Sequence, residues 1–150
     1  MKVYLVRHGE AGKASRDRDR ILTDFGREQV YSLAENLEKK GPNIGQIYHS
    51  GLVRAEETSA FLKEKLAPLA NLKKRKGLLP DDIPTSWMGE LESVDEEEEI
   101  MLVGHNPFMA LLSGLLLDNG EIVSFSVANA ACFERNGLGW DLNWVCRPSL

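Results

Sequence analysis

A layered α/β fold is what this sequence predicts: a mainly parallel central sheet flanked by helices, three layers in all, with antiparallel strands at the C-terminal end. Three observations carry that prediction. Val3-Tyr4-Leu5-Val6 and Ile100-Met101-Leu102-Val103 are uncharged apolar runs, the pattern of strands buried on both faces of a parallel sheet. Between them, helical periodicities alternate with shorter strand candidates. After Asn119-Gly120 the texture changes to short apolar stretches divided by turn residues, as in hairpins.

Taken in order, residues 3–6 form the first strand and the charge-dense residues 10–20 form a loop. Thr23 is placed to cap a helix in which Val30, Leu33, Ala34 and Leu37 recur at helical spacing, ended by Gly41-Pro42. Ile44–Tyr48 is a second strand. Ala55, Thr58, Phe61, Leu62 and Leu66 line one side of a second helix, stopped near Pro68. A short strand is expected within Lys73–Leu79, then a helix over about Thr85–Val94. Ile100–Val103 leads into Gly104-His105-Asn106-Pro107, with Asn106 as a candidate cap and Pro107 suited to the first turn of a helix running to Leu117. Ile122–Val127, Ala131–Arg135 and Trp140–Val145 are expected as the antiparallel strands, joined at Asn129-Ala130 and Asn136-Gly137.

The chain has 150 residues, which fits one domain over 1–150. A hydrophobic share of 43% supports a core without disulfide or metal staples. The net charge of −5 argues against nonspecific nucleic-acid binding. The acidic run Asp95-Glu96-Glu97-Glu98-Glu99 reads as a solvated loop or helix end. Cys132 and Cys146 fit no metal or CxxC spacing and are expected as free thiols in or near strands. The N-terminus lacks the pattern of a secretory leader, and Phe108–Leu117 is too short to span a bilayer. The expectation is a soluble cytoplasmic protein with no membrane partner.

In open parallel sheets, ligands bind beyond the carboxyl ends of the strands. Arg7-His8-Gly9-Glu10 follows the first strand, Arg54 begins the helix after the second, and His105 follows the last buried one. Cationic side chains thus arrive at one sheet edge from separate segments, as an anion site requires. Arg20 belongs to the alternating run Arg16-Asp17-Arg18-Asp19-Arg20 and joins them as a fourth element. Gly9 is expected where the backbone turns or approaches a ligand closely. Gly12-Lys13 lacks the spacing of a phosphate-binding P-loop.

Together, VRHGEA, DRDRILTDFG, SGLVRAEET and VGHNP resemble, in that order and over nearly the whole chain, the histidine phosphatase superfamily, which includes the cofactor-dependent phosphoglycerate mutases. The likeness is greatest to its short SixA-type phosphohistidine phosphatases. The resemblance implies a nucleophilic His8, phosphate-binding Arg7, Arg20 and Arg54, and a second catalytic histidine, His105. Arg7 and Arg54 also count as catalytic on this resemblance. It implies no cofactor and no metal. Asp17, three residues before Arg20, matches a position where SixA-like proteins often carry an aspartate and is the candidate general acid; Glu10, Asp19, Asp81 and Asp82 are rivals. The family usually has serine-proline at Ser50-Gly51 and a small residue at His49. A glycine there is expected to loosen the turn that aims Arg54, and His49 to be packed or on the surface.

The chemistry so implied is phosphoryl transfer by positioning and charge neutralisation. His8 attacks as a neutral imidazole held by a backbone carbonyl, and His105 is expected to donate as an imidazolium. The substrate is expected to be phosphohistidine on a partner such as a histidine-containing phosphotransfer domain, because a short chain leaves an open, shallow site. The alternatives are a small phosphomonoester, such as a sugar or nucleotide phosphate, and a phosphate-binding module without turnover. An intact His8 argues against the last.

Overall fold

The computed structural model describes residues 1–150. The elements run β1 (Lys2–Arg7), a 3-10 turn (Asp17–Asp19), α1 (Asp24–Glu38), β2 (Gln46–His49), α2 (Val53–Leu66), β3 (Asn71–Lys74), α3 (Thr85–Ser93), β4 (Glu99–Gly104), α4 (Phe108–Leu117), β5 (Ala130–Asn136) and β6 (Gly139–Cys146). One six-stranded sheet has the order β3-β2-β4-β1-β5-β6. β3, β2, β4 and β1 pair in parallel, and β5 and β6 extend the sheet antiparallel.

Strand alternation divides the core. Tyr4, Val6, Met101 and Val103 point to the face covered by α1 and α2, against Val30, Leu33, Ala55 and Leu62. Val3, Leu5, Ile100 and Leu102 point to the other face, against Trp87 and Leu91 of α3 and Phe108 and Leu112 of α4. Both faces of β1 and β4 are therefore dry, which is why those strands tolerate no charge in their interior. Cys132 and Cys146 are free thiols buried in β5 and β6. No helix is long and apolar enough to cross a membrane.

Thr23 caps α1 as expected, accepting from the Gly26 N–H at 2.9 Å. The other differences from the sequence-based expectations have local causes. β3 lies at Asn71–Lys74 instead of within Lys73–Leu79, because the following chain turns inward to bury Leu78 and to accept the Trp87 indole N–H at Gly77 O, 2.8 Å. Asn106 does not cap α4. Pro107 holds that position, and the Asn106 amide donates to Phe125 O at 2.8 Å. Residues 122–127 are not a strand. Buried Val123 and Phe125 alternate with exposed neighbours and so mimic one, but the backbone of this segment bonds side chains: Val123 N–H donates to Ser113 Oγ at 2.8 Å. Asn129 sits in the turn entering β5, where its N–H bonds Ser126 O at 3.2 Å.

Close approach of α1 to β1 fixes where the site begins. A Cβ on Gly26 would lie 2.1 Å from Glu10 O, and one on Gly9 would lie 2.8 Å from Gly26 O. The two bare α-carbons let the helix start press against the chain just past β1. Gly9 is thus required by helix packing.

Candidate active site

Parallel register sets the floor of the site. Arg7 pairs with Gly104, and the His8 N–H donates to Gly104 O at 3.1 Å. His8 and His105 therefore leave adjacent strand ends side by side, with ring centroids 5.0 Å apart. His8 Nδ1 lies 2.6 Å from Gly9 O. A carbonyl only accepts, so Nδ1 carries the proton and Nε2 keeps its lone pair. The Arg54 Nε–H faces that lone pair at 3.4 Å. Burial, with the guanidinium groups of Arg54, Arg7 and Arg20 adding to it and the Gly9 bond opposing it, lowers the His8 pKa to about 4. His8 is thus a neutral imidazole near neutrality.

His105 is also neutral, which reverses the expected imidazolium. Its pKa is lowered to about 3, mainly by burial and then by His8 and Arg54. Its Nε2 lies 2.6 Å from Ser50 Oγ, and that hydroxyl also accepts from the Leu52 N–H at 3.2 Å.

Three arginines surround the histidines, each held differently. Arg7 ends β1 and donates from Nη1 to Phe125 O at 3.0 Å, the same carbonyl that Asn106 uses. Arg20 donates from Nε to Gly12 O at 2.7 Å. Arg54, in the first turn of α2, is 5% exposed. It donates to Asp17 O at 2.9 Å and to Asp17 Oδ2 at 3.2 Å. Asp17 Oδ1 accepts from Arg20 at 3.2 Å, so one carboxylate bridges two guanidinium groups. The Arg20 bond, opposed by burial and reinforced by the Arg54 bond and the charges of both guanidinium groups, holds the Asp17 carboxyl below its ordinary range.

The sequence SGLVRAEET is a set of anchors as well as a carrier of Arg54. Glu57 accepts from the Leu22 N–H at 2.8 Å. The Thr58 hydroxyl donates to Arg54 O at 2.8 Å and accepts from the Gly9 N–H at 3.2 Å. α2 is thereby tied to the chain just past both His8 and Arg20. These positioning roles of Ser50, Glu57, Thr58 and Asn106 were not read from the sequence. The signal lay in the motif's polar residues, which look like ordinary helix-surface positions until the packing is known. His49, expected as packed or exposed, is packed: it is 4% exposed, and its Nδ1 accepts from the Gly51 N–H at 3.1 Å.

His8, His105, Arg7, Arg20 and Arg54 line one cleft of about 270 Å³. Of the candidate acids, Glu10 alone lines it; its carboxylate accepts from Thr23 Oγ1 at 2.8 Å. Asp82 caps a turn at Leu79 N, and Asp19 pairs with Arg16. Side-chain polar atoms that are buried without a partner gather in the same region: Arg7 Nε, His105 Nδ1, Asn106 Oδ1 and Asn129 Nδ2. The cations at this strand edge, with the unpaired donors Arg7 Nε and Asn129 Nδ2 near them, suit a multiply charged oxyanion; Asn106 Oδ1 can only accept.

The sequence model of the histidine phosphatase superfamily (branch 1) matches residues 3–79. The chain belongs to this superfamily and is classed with phosphatase enzymes. His105 lies beyond the matched span. The protein histidine phosphatase SixA, solved with tungstate, has the same fold, with 22% identity, a TM-score of 0.91 and coverage of 99% of this chain and 97% of that one. The mycobacterial glucosyl-3-phosphoglycerate phosphatase, solved with inorganic phosphate, has 19% identity, a TM-score of 0.70 and coverage of 95% of both chains. Among curated sequences, the mitochondrial serine/threonine-protein phosphatase PGAM5 of Rattus norvegicus is 29% identical over 94 residues, 59% of this chain and 33% of that protein. The match thus spans about a third of that relative's length.

Proposed function

We propose that the chain hydrolyses phosphohistidine on a partner protein, such as a histidine-containing phosphotransfer domain, through a phosphohistidine formed at His8. One observation carries the reading: the His8 Nε2 lone pair is fixed by the Nδ1–Gly9 bond and set beside the buried Arg54. Arg7, Arg20 and Arg54 bind the nonbridging oxygens with planar forks suited to that geometry, and they supply the positive charge the transition state needs without a metal. His105 adds a neutral polar contact. Nε2 attacks phosphorus in line, and the bond from phosphorus to the substrate's ring nitrogen breaks. The leaving ring, already protonated, departs as neutral imidazole with the bonding pair. Water then attacks phosphorus, the bond to Nε2 breaks, and both water protons leave with the phosphate, so that His8 regains its lone pair.

Asp17 is not needed as an acid in this scheme, and a carboxylate bridging two guanidinium groups is a poor proton donor. A small phosphomonoester is the second reading, favoured by Glu10: an alkoxide leaving group needs a proton, and Glu10 is the candidate acid that lines the cleft. The test is rapid-quench mass spectrometry with phosphohistidine peptides and a panel of sugar and nucleotide phosphates. A phosphoryl group on His8, formed fastest from phosphohistidine, is expected. Preference for a sugar or nucleotide phosphate selects the second reading, and turnover without phosphorylation of His8 overturns both.

A further inference from the structure

A second cleft, of about 520 Å³, adjoins the candidate active site: Ser50 lines it, and the Ser50 hydroxyl contacts His105, which lines the first. Its charged lining is Arg18, Lys74, Lys76 and Asp82. We propose that this cleft is a docking subsite for acidic residues flanking the phosphorylated side chain of a protein substrate. The proposal rests on the protein-phosphohistidine reading above and specifies the kind of protein surface that the site accepts.

The placement of the cations supports it. Arg18 sits beside Asp17, which bonds Arg54, so one short 3-10 turn lines the second cleft and holds an arginine that lines the first. Lys74 ends β3, and its stem lies across the bare face of Gly51: a Cβ there would be 2.6 Å from Lys74 Cε. Glycine therefore makes the room that lets the stem lie flat next to the Ser50 turn. The neighbouring Arg75 anchors the segment. Its guanidinium lies 4.7 Å from the Tyr48 ring centroid and 4.8 Å from that of Trp87, and is paired with Glu90. Lys74 and Lys76 flank this anchor, are exposed, and make no ion pair. Asp82 is engaged by the Leu79 N–H.

The charge distribution points to an acidic ligand. The chain carries −5 overall, but its acidic run, Asp95–Glu99, meets β4 at the end opposite His105. The edge that holds the site is locally cationic. A cleft of this size, next to a phosphate site and carrying unpaired ammonium groups, has more room than one phosphate fills and suits the carboxylates of an extended acidic segment. Exposed charge pairs are individually weak and screened by salt. Their effect is expected as selectivity among substrates, not as affinity for phosphate.

The experiment compares two phosphohistidine peptides, one flanked by Asp and Glu and one by Ser, with wild type and with a Lys74→Ser/Lys76→Ser protein whose unfolding midpoint is checked. Wild type is expected to favour the acidic peptide about tenfold in kcat/KM, through KM, with the preference lost in added salt. The double variant is expected to treat both peptides alike and to keep wild-type turnover of the Ser-flanked one. Equal turnover of the two peptides by wild type overturns the docking proposal while the phosphatase reading stands. Turnover of neither peptide overturns the phosphohistidine reading itself. An unchanged preference in the double variant, or a stronger preference for a sugar bisphosphate than for the acidic peptide, overturns the subsite as assigned.

Discussion

Gly51 donates its backbone N–H to Nδ1 of the buried His49 at 3.1 Å. The resemblance implies a proline where Gly51 stands and a small residue where His49 stands, and the bond links these two departures. Proline has no N–H to offer a histidine ring. Gly51 also has φ +94, a conformation closed to proline and strained for other residues. The turn is therefore not loosened by glycine; it is held by a different bond. Gly51→Pro is expected to lose at least about 1–3 kcal/mol of stability, the usual scale of backbone strain, and to lower activity through displacement of Arg54. A urea melt and a rate measurement check this. Wild-type values for both would show that the turn is not held in this way.

His8→Ala is expected to abolish turnover and phosphoryl labelling while circular dichroism stays that of the folded protein. Normal turnover by the folded variant would remove His8 as nucleophile.

Arg54→Ala is expected to lower the rate by about two orders of magnitude or more, the usual loss for one oriented donor to transition-state charge, and to weaken inhibition by vanadate. Vanadate inhibition equal to that of wild type would reduce Arg54 to a structural residue.

Asp17→Asn is expected to change phosphohistidine hydrolysis by less than about tenfold, below the usual general-acid contribution. It should also tighten inhibition by inorganic phosphate, because the Asp17 carboxylate competes with an anion for Arg54 and Arg20. Loss of activity beyond that, with phosphate inhibition unchanged, would restore Asp17 as an acid.

Acid should weaken the fold early. His8 and His105 have pKa values lowered to about 4 and about 3, against an unfolded value of about 6.5. Above that value both states are neutral and the full stability is present. As pH falls below it, the unfolded chain takes up protons that the folded chain refuses, so stability declines until pH passes the folded values. Each histidine costs about 1.4 kcal/mol per pH unit within that window. Urea midpoints at pH 7, 6 and 5 are expected to fall in order, and NMR titration should place the His8 midpoint near 4. Flat midpoints and histidines that titrate near 6.5 would contradict the burial described.

β1 and β4 were legible because burial on both faces leaves a sequence with no other use, and the helices because their apolar periodicity survives. Arg7, His8, Arg54 and His105 were legible because each follows a recognisable element. What escaped depends on long-range partners. Residues 122–127 alternate like a strand, yet Phe125 serves the site through its carbonyl, which no side-chain pattern reports. Asp17, expected as a candidate acid, bonds both Arg54 and Arg20, and the contact with Arg54, far away in sequence, is one that no local pattern reports. Ser50, Glu57 and Thr58 act by bonding chain segments far away in sequence.

The two cysteines have a consequence for durability. Cys132 and Cys146 are buried, 1% and 5% exposed, and burial raises both thiol pKa values, that of Cys132 to about 11. Neither presents a thiolate to an oxidant, and the proposed nucleophile is a nitrogen, which does not enter the sulfenic-to-sulfonic sequence. Peroxide that silences a phosphatase built on a reactive thiol finds no equivalent target here. Dephosphorylation by this protein is expected to continue through an oxidative burst, so that its output follows the supply of phosphorylated substrate and not the redox state of its surroundings.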